Sequence, residues 1–268
     1  MQSIKQRYRY SAILLRELVR TDFKVRYQNS ILGYVWSLLR PLLLFVILYL
    51  VFTRFLKVGN GVPHYPVYLL LGLLFWNLFV ESTMGSVTAI VNKGDLIRKI
   101  NFPKYVIILA VLLGALINFG LTSIVVIIFM IVGHVSVGWQ ALLLIPLMLE
   151  LILISLTAAF FLSAAFVRFR DLSYIWEVIL QAAFYITPIL YPLSRIPHSV
   201  AKFLILNPFA QVVQDARYVL ITHSSQTVGS VYGGDWLIWL IPIGLTVVLF
   251  IVSSGYFRKY SKTFAEEV

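Results

Sequence analysis

Six long apolar runs constrain this chain more than any other feature. A helix crosses roughly 30 Å of hydrocarbon with about 20 residues. Runs of that order occur at 33–56, 67–90, 105–132, 139–166, 174–191 and 236–257. The expectation is an all-α polytopic membrane protein with six transmembrane helices. It forms one transmembrane domain over 1–268. Residues 1–32 make a cytoplasmic tail with an N-terminal amphipathic interfacial helix, and 33–191 make spans one to five. Residues 192–235 form an extracytoplasmic or re-entrant segment with short outer gate helices, 236–257 the sixth span and 258–268 a cytoplasmic tail. Composition agrees: 60% of residues are hydrophobic, 12% are charged and mean hydropathy is +0.89. Soluble domains are nearer half apolar and a quarter charged. The first run follows a 30-residue charged segment, unlike a secretory signal, so no cleaved leader is expected. Pro188 and Pro192 break the outer end of the fifth run.

Loop charge orients the bundle. Segments 1–32, 91–104, 167–173 and 258–268 hold 16 Lys and Arg, whereas the opposite loops hold five, Arg54, Lys57, Arg195, Lys202 and Arg217. The positive-inside bias then puts both termini in the cytoplasm. The same bias, with anionic lipid, accounts for the net charge of +11 without nucleic acid.

The segment between spans five and six contains NPFAQVVQDARYVLI. Asn207 is a good N-cap and Pro208 suits the first helical position. Phe209, Val212, Val213, Ala216 and Leu220 share one face. A helix of about 20 Å at 1.5 Å per residue is too short to span, and is expected at the outer interface or dipping into the bilayer. TPILYPLSRIP before it reads as a broken entrance, tolerated at depth only where protein or a cavity surrounds it. Pro188, Pro192, Asn207, Pro208 and Phe209 are therefore expected to form an outer gate. Ahead of the first span, SAILLRELVRTDFKVRYQN is amphipathic. Leu14, Leu15, Leu18, Val19, Phe23 and Val25 share one half, and Arg16, Arg20 and Lys24 form a basic stripe on the other. Asp22 is placed to pair with Arg26 at i+4.

Much chemistry is excluded. There is no cysteine, no P-loop, no HExxH, no GxSxG and no histidine pair at metal-ligand spacing, so neither metal nor cofactor is expected. Two acids fall within spans, Glu81 and Glu150. Such carboxylates are functional candidates, although the favoured reading is that each is neutral, hydrogen-bonded between helices or close to an interface. Asn77, Asn118 and Gln181 read as interhelical glue, and Ser155, Ala159 and Ser163 as a close-packing face.

Several stretches carry a family resemblance in order along nearly the whole chain. They are the basic N-terminal helix; Tyr27, Leu32, Gly33, Trp36 and Pro41 in YQNSILGYVWSLLRP; NKGDLIRKINFPK after the second span; VRFRDL after the fourth; TPILY closing the fifth; and LNPF opening the outer helix. With six spans they resemble the membrane (permease) subunit of type-2 ABC exporters, in the branch that moves O antigens, capsules and teichoic acids. One departure is Arg40, where the family is expected to hold a polar, often uncharged, residue. The resemblance implies a homodimer, two copies of a separate ABC ATPase subunit, and a lipid-linked glycan substrate, on polyprenyl diphosphate, crossing a bacterial or archaeal cytoplasmic membrane. It implies a transport subunit rather than an enzyme.

On this reading NKGDLIRKINFPK is an ATPase-coupling helix. Asp95 caps it, Leu96, Ile97 and Ile100 give its apolar side, Arg98 and Lys99 face the partner or lipid, and Pro103 ends it. A solvated basic loop is the alternative. Arg16, Arg20, Lys24, Arg26 and Arg40 would form a cytoplasmic entrance for the lipid diphosphate, since guanidinium groups suit phosphate oxygens. Attraction to anionic membrane lipids explains the same stripe. A guanidinium at the bilayer centre costs about 2.5–3.5 kcal/mol on insertion scales. Arg40 can snorkel back to the inner interface, with Pro41 expected to kink the helix. Tyr34, Phe45, Tyr49 and Phe52 in the first span, and Trp176, Phe184 and Tyr191 in the fifth, form stripes suited to a sliding glycan; helix packing explains them too. Other readings are a type-2 exporter of drug or lipid, a proton-coupled secondary transporter using Glu81 or Glu150, and a membrane transferase acting on polyprenyl phosphates. Against the last, Glu17, Asp22, Asp95 and Asp171 are scattered, and the latter two suit helix caps.

Overall fold

The computed structural model describes residues 4–27, 35–59 and 61–267. Among these the chain is helical throughout, with no strand. In order the helices are α1 (Ile4–Tyr27), α2 (Val35–Leu50), α3 (Tyr65–Asn92), α4 (Gly94–Lys99), α5 (Tyr105–Val132), α6 (Leu144–Phe166), α7 (Leu172–Ile186), α8 (His198–Ile205), α9 (Pro208–Leu220), α10 (Val228–Val231), α11 (Leu240–Tyr260) and α12 (Phe264–Glu267). Five stretches are long and apolar enough to cross a membrane: Leu38–Phe55, Tyr65–Asn92, Tyr105–Val132, Trp139–Phe166 and Leu237–Tyr260. α7 is apolar but shorter.

Burial ranks these helices. In α3, 72% of the most apolar window lies inside the protein; in the first span the figure is 6%. α3 packs against α5, α6, α7 and α9, so it is the axis of the bundle, while α2 leans on α3 and α5 from outside. α6 makes its close approach through the small face expected for it: Ser155, Ala159 and Ser163 are all buried. Small residues let helix backbones come together where lipid supplies no hydrophobic drive. Ser253 on α11 adds an interhelical bond to the Thr157 carbonyl, at 2.5 Å.

The ends of the bundle differ. At one end Leu18 of α1, Ile97 of α4, Phe102, Phe160, Phe257 and Phe264 form a single cluster. Val167 belongs to the same cluster, so parts of all four basic segments meet at this end. At the other end Leu193, Ala201, Ile205, Val228 and Val231 gather α8 and α10 beneath the start of α11.

The structure corrects several expectations. The fifth span does not run 174–191: α7 has 15 residues and ends at Ile186, because Thr187 turns extended (φ −72°, ψ 137°) ahead of Pro188. At 1.5 Å per residue it is about 22 Å long. Tyr191 lies beyond that helix and does not continue a stripe with Trp176 and Phe184. α9 is covered by protein on all sides rather than on one face: its polar residues Gln211, Gln214, Asp215 and Arg217 are buried along with its apolar face. Arg217, counted above as an outer-loop charge, is 0% exposed. Asp95 is not the cap of α4; it sits in the first turn, behind Lys93, with no side-chain capping bond. There it complements the positive end of the helix dipole. α4 has ended at Ile100, which is extended, before Pro103 is reached. Asp171 is the N-cap residue of α7 by position, again without a capping bond. α2 runs through Pro41 as one helix and closes in a π-type turn, Val51–Phe55. Tyr34, Leu32 and Gly33, and the side chains of Phe23, Arg26 and Tyr27, lie outside the described residues.

Candidate functional site

At the basic end, α1 lies along α5 on Leu14, Leu15, Leu18 and Val19. Val25, expected on that face, is 63% exposed. Arg16, Arg20 and Lys24 are exposed. Asp22 does pair, but across helices: Lys93 Nζ lies 2.6 Å from its carboxylate. Both groups keep contact with solvent, so the pair contributes no more than about 1 kcal/mol. It ties α1 to the junction of α3 and α4. In α4, Ile97 is buried, Leu96 and Ile100 are half-buried, and Asp95, Arg98 and Lys99 face outward. The basic end thus presents an anchored short helix with a charged outer face.

Inside the bundle, α2, α3 and α5 enclose a cleft of about 550 Å³. Trp36, Arg40 and Pro41 line one wall, and Asn77, Glu81 and Asn118 lie on the others. Asn118 donates to both Glu81 carboxylate oxygens, at 3.0 and 3.2 Å. The expected glue role of Asn118 and the hydrogen-bonded reading of Glu81 both match this geometry. Arg40 is exposed at the cleft.

The aromatic residues separate into two groups. Phe45 is a core residue, 3% exposed, stacked on Tyr49 at 5.7 Å and set edge-on to Phe129 at 5.4 Å. Its burial leaves no face for a passing chain within the protomer. Phe52 is half-buried beside it. The second group joins residues expected to act apart: Trp176 and Phe184 of α7 meet Phe209 of α9 across Trp76 and Phe79 of α3. Ring centroids lie 5.2–6.2 Å apart. Trp176 also donates to Thr83 at 3.2 Å. Residues expected in the channel and in the gate thus form one aromatic knot.

The residues expected to form an outer gate surround a break in the helix. Past Ile186 the backbone carbonyls of Pro188, Ile189 and Leu190 have no helical partners, yet all three residues are buried. Side chains reach them. Arg217 Nη1 donates to Pro188 O and Nη2 to Ile189 O, each at 2.6 Å. The Tyr65 hydroxyl donates to Leu190 O at 2.7 Å. Nε and Nη2 of Arg217 also share Tyr68 O, and Nη1 reaches Gln214 Oε1 at 3.3 Å. Its guanidinium stands 3.5 Å from the Tyr68 ring centroid. All five N–H donors of the fork are thus matched by neutral acceptors. Burial pulls the Arg217 pKa below its ordinary value, against the pull of Tyr68 and Tyr65. The close approach requires Gly72 of α3, where a Cβ would collide with the guanidinium. Tyr191 closes α7 by donating to the Tyr185 and Ile186 carbonyls, at 2.8 and 2.9 Å. Asn207 caps α9 as expected, accepting from Phe209 N at 2.9 Å, with Pro208 at the first position.

Sequence reasoning missed Arg217, Gly72, Tyr65 and Tyr68. The available signal was the polar set Gln211, Gln214, Asp215 and Arg217, spaced three and four apart beside an apolar face, on a helix already known to be capped.

Residues 13–221 match the family model described as ABC-2 type transporter. The chain is 29% identical over 267 residues to the O-antigen export system permease protein RfbA of Myxococcus xanthus, covering 99% of this chain and 98% of that one. An RfbA of Klebsiella pneumoniae is also 29% identical, over 98% of this chain and 99% of its own. The polysialic acid transport protein KpsM of Escherichia coli is 26% identical over 213 residues, covering 79% and 81%. A bundle of membrane-spanning helices with an amphipathic first helix, a family match over most of its length and end-to-end relatives among permeases establish one thing: the chain belongs to the ABC-2 type transporter family.

Proposed function

We propose that this chain is the permease subunit of an ATP-driven exporter that carries a lipid-linked polysaccharide out across the cytoplasmic membrane. The observation that carries the reading is the end-to-end similarity to O-antigen permeases. The geometry fits it. α4, anchored by Ile97 with Asp95, Arg98 and Lys99 outward, is the docking element for a separate ATPase. Arg16, Arg20, Lys24 and Arg40 gather the diphosphate of the lipid carrier at the inner mouth, with Arg26 near the end of α1. Two copies assemble through faces that include the exposed surface of α2, and both termini stay in the cytoplasm. Pro188, Pro192 and the aromatic knot around Phe209 gate the exit, while Tyr49, Phe52, Trp176, Phe184 and Tyr191 border the path on partly exposed faces.

Cells lacking the chain should accumulate lipid-linked glycan on the inner face of the membrane, with loss of surface glycan. A deletion strain with normal surface glycan would end the proposal. The purified chain without its ATPase should show no nucleotide turnover.

A further inference from the structure

On a separate face from the Arg40 cleft, α6, α9 and α11 enclose a cavity of about 730 Å³ that shares no lining residue with that cleft. Ligand sites commonly fall in the range of roughly 300–1,000 Å³. Its outer walls are Leu149, Ile243 and Val247, 58%, 41% and 44% exposed, so it opens onto an exposed apolar surface of the bundle. Its inner end is polar. Gln211 Nε2 and Trp239 Nε1 both donate to one carboxylate oxygen of Asp215, at 2.7 and 2.9 Å. That leaves Asp215 Oδ1 without a partner, together with Gln211 Oε1 and Glu150 Oε1. These three side chains are 8%, 1% and 9% exposed. Unpaired buried acceptors of this kind are rare and costly in native proteins.

The unmet need is specific. The three oxygens accept hydrogen bonds, and among the described residues no Lys or Arg lines the cavity. A phosphate beside Asp215 and Glu150 would be repelled, and a choline head would offer no donor. A neutral head bearing several hydroxyls satisfies all three oxygens, with the Trp239 and Tyr218 rings beside it and a hydrocarbon tail against the apolar walls.

We propose that this cavity binds a single amphiphile through a neutral, hydroxyl-rich glycosyl head held by Glu150, Gln211 and Asp215, its tail lying between α6 and α11. The site does not depend on the transport reading. The head could come from a resident glycolipid or from a glycan on a prenyl carrier.

Native mass spectrometry of the purified full-length chain separates these sources. The probes are monoglucosyl dioleoylglycerol, dioleoyl phosphatidylcholine, and a monoglycosylated polyprenyl diphosphate. Wild-type protein should retain at least one glycosylated probe about fivefold better than phosphatidylcholine. The neutral probe alone marks a structural lipid site, and the prenyl probe a station for cargo. Glu150→Met, which removes one acceptor at similar volume, and Val247→Trp, which fills the cavity from an exposed wall, should each bring that ratio near one, with the melting temperature reporting an intact fold. Equal retention of all three probes overturns the proposal, as does a glycosyl preference that survives both substitutions.

Discussion

Arg217 and Asp215 lie two residues apart on α9, both buried, and their surroundings are opposites. Arg217 faces α3 and the break after α7, where every donor finds an acceptor. Asp215 faces α6 and α11, where one oxygen takes two donors and the other takes none. A satisfied buried ion is structural: it fixes one geometry, and truncation leaves its partners stranded. A half-satisfied one has spare capacity, which a ligand or a proton can fill. One short helix thus locks the break after α7 on one side and holds unpaired acceptors on the other.

The largest effect should come from Arg217→Ala. It strands the carbonyls of Pro188 and Ile189, each unsatisfied group costing about 1–3 kcal/mol when buried. Folded protein in detergent should fall sharply, and protease should cut within 187–196. Arg217→Lys should restore only part of the loss, since an ammonium has three donors and no planar fork to span Tyr68, Pro188 and Ile189. Wild-type stability in Arg217→Ala would show that the break holds itself, and the contrast between the two sides of α9 would collapse.

Gly72→Ala comes next. The added Cβ meets the guanidinium and lies 3.2–3.3 Å from Ile189 atoms, an overpacking of the kind that costs about 1–3 kcal/mol. The sharper measurement is a double-mutant cycle. In an Arg217→Ala background the same methyl fills vacated space, so thermal melts should show strong coupling between the two substitutions. Additive losses would mean that Gly72 serves some other purpose.

The limits of the sequence follow from the same chemistry. Spans were legible because burying 20 apolar residues in lipid leaves a long signal, and α5 begins and ends where its apolar run does. Asn207 and Pro208 were legible because capping is local. The anchoring of α4 by Ile97 was legible from its apolar side. Arg217 was not, because its acceptors are mostly backbone carbonyls, which carry no residue identity, and because one arginine outside a span reads as one more loop charge. The helix end at Ile186 was only half visible: Pro188 and Pro192 announced a break, but the turn at Thr187 and the Tyr191 bonds set its place. Tyr191, grouped with a stripe, turned out to face back on its own helix end. The Asp22–Lys93 pair was hidden by distance along the chain, since the i+4 rule sees only Arg26.

The smallest effect, opposite in sign, should come from Asp215→Asn. Burial pushes the Asp215 carboxyl up from its ordinary value to about 6, and the hydrogen bonds from Gln211 and Trp239 pull it part of the way back. The folded state therefore holds this proton more tightly than the unfolded state does. Stability from this group is full below about pH 4, falls as pH rises through the interval up to about 6, and is level above it. A shift of about two units corresponds to at most about 3 kcal/mol. An asparagine keeps an oxygen for Gln211 and Trp239 and carries no charge, so the variant should melt slightly higher than wild type at pH 7.5. Glu150, the acid facing Asp215 from α6, is relieved of that charge in the variant, which adds to the gain in the same direction. The difference in melting temperature should accordingly vanish near pH 4 and open by pH 6.5. A difference that stays constant across that range would mean Asp215 keeps its charge at no cost, which requires a cation in the cavity rather than a hydroxyl-bearing head.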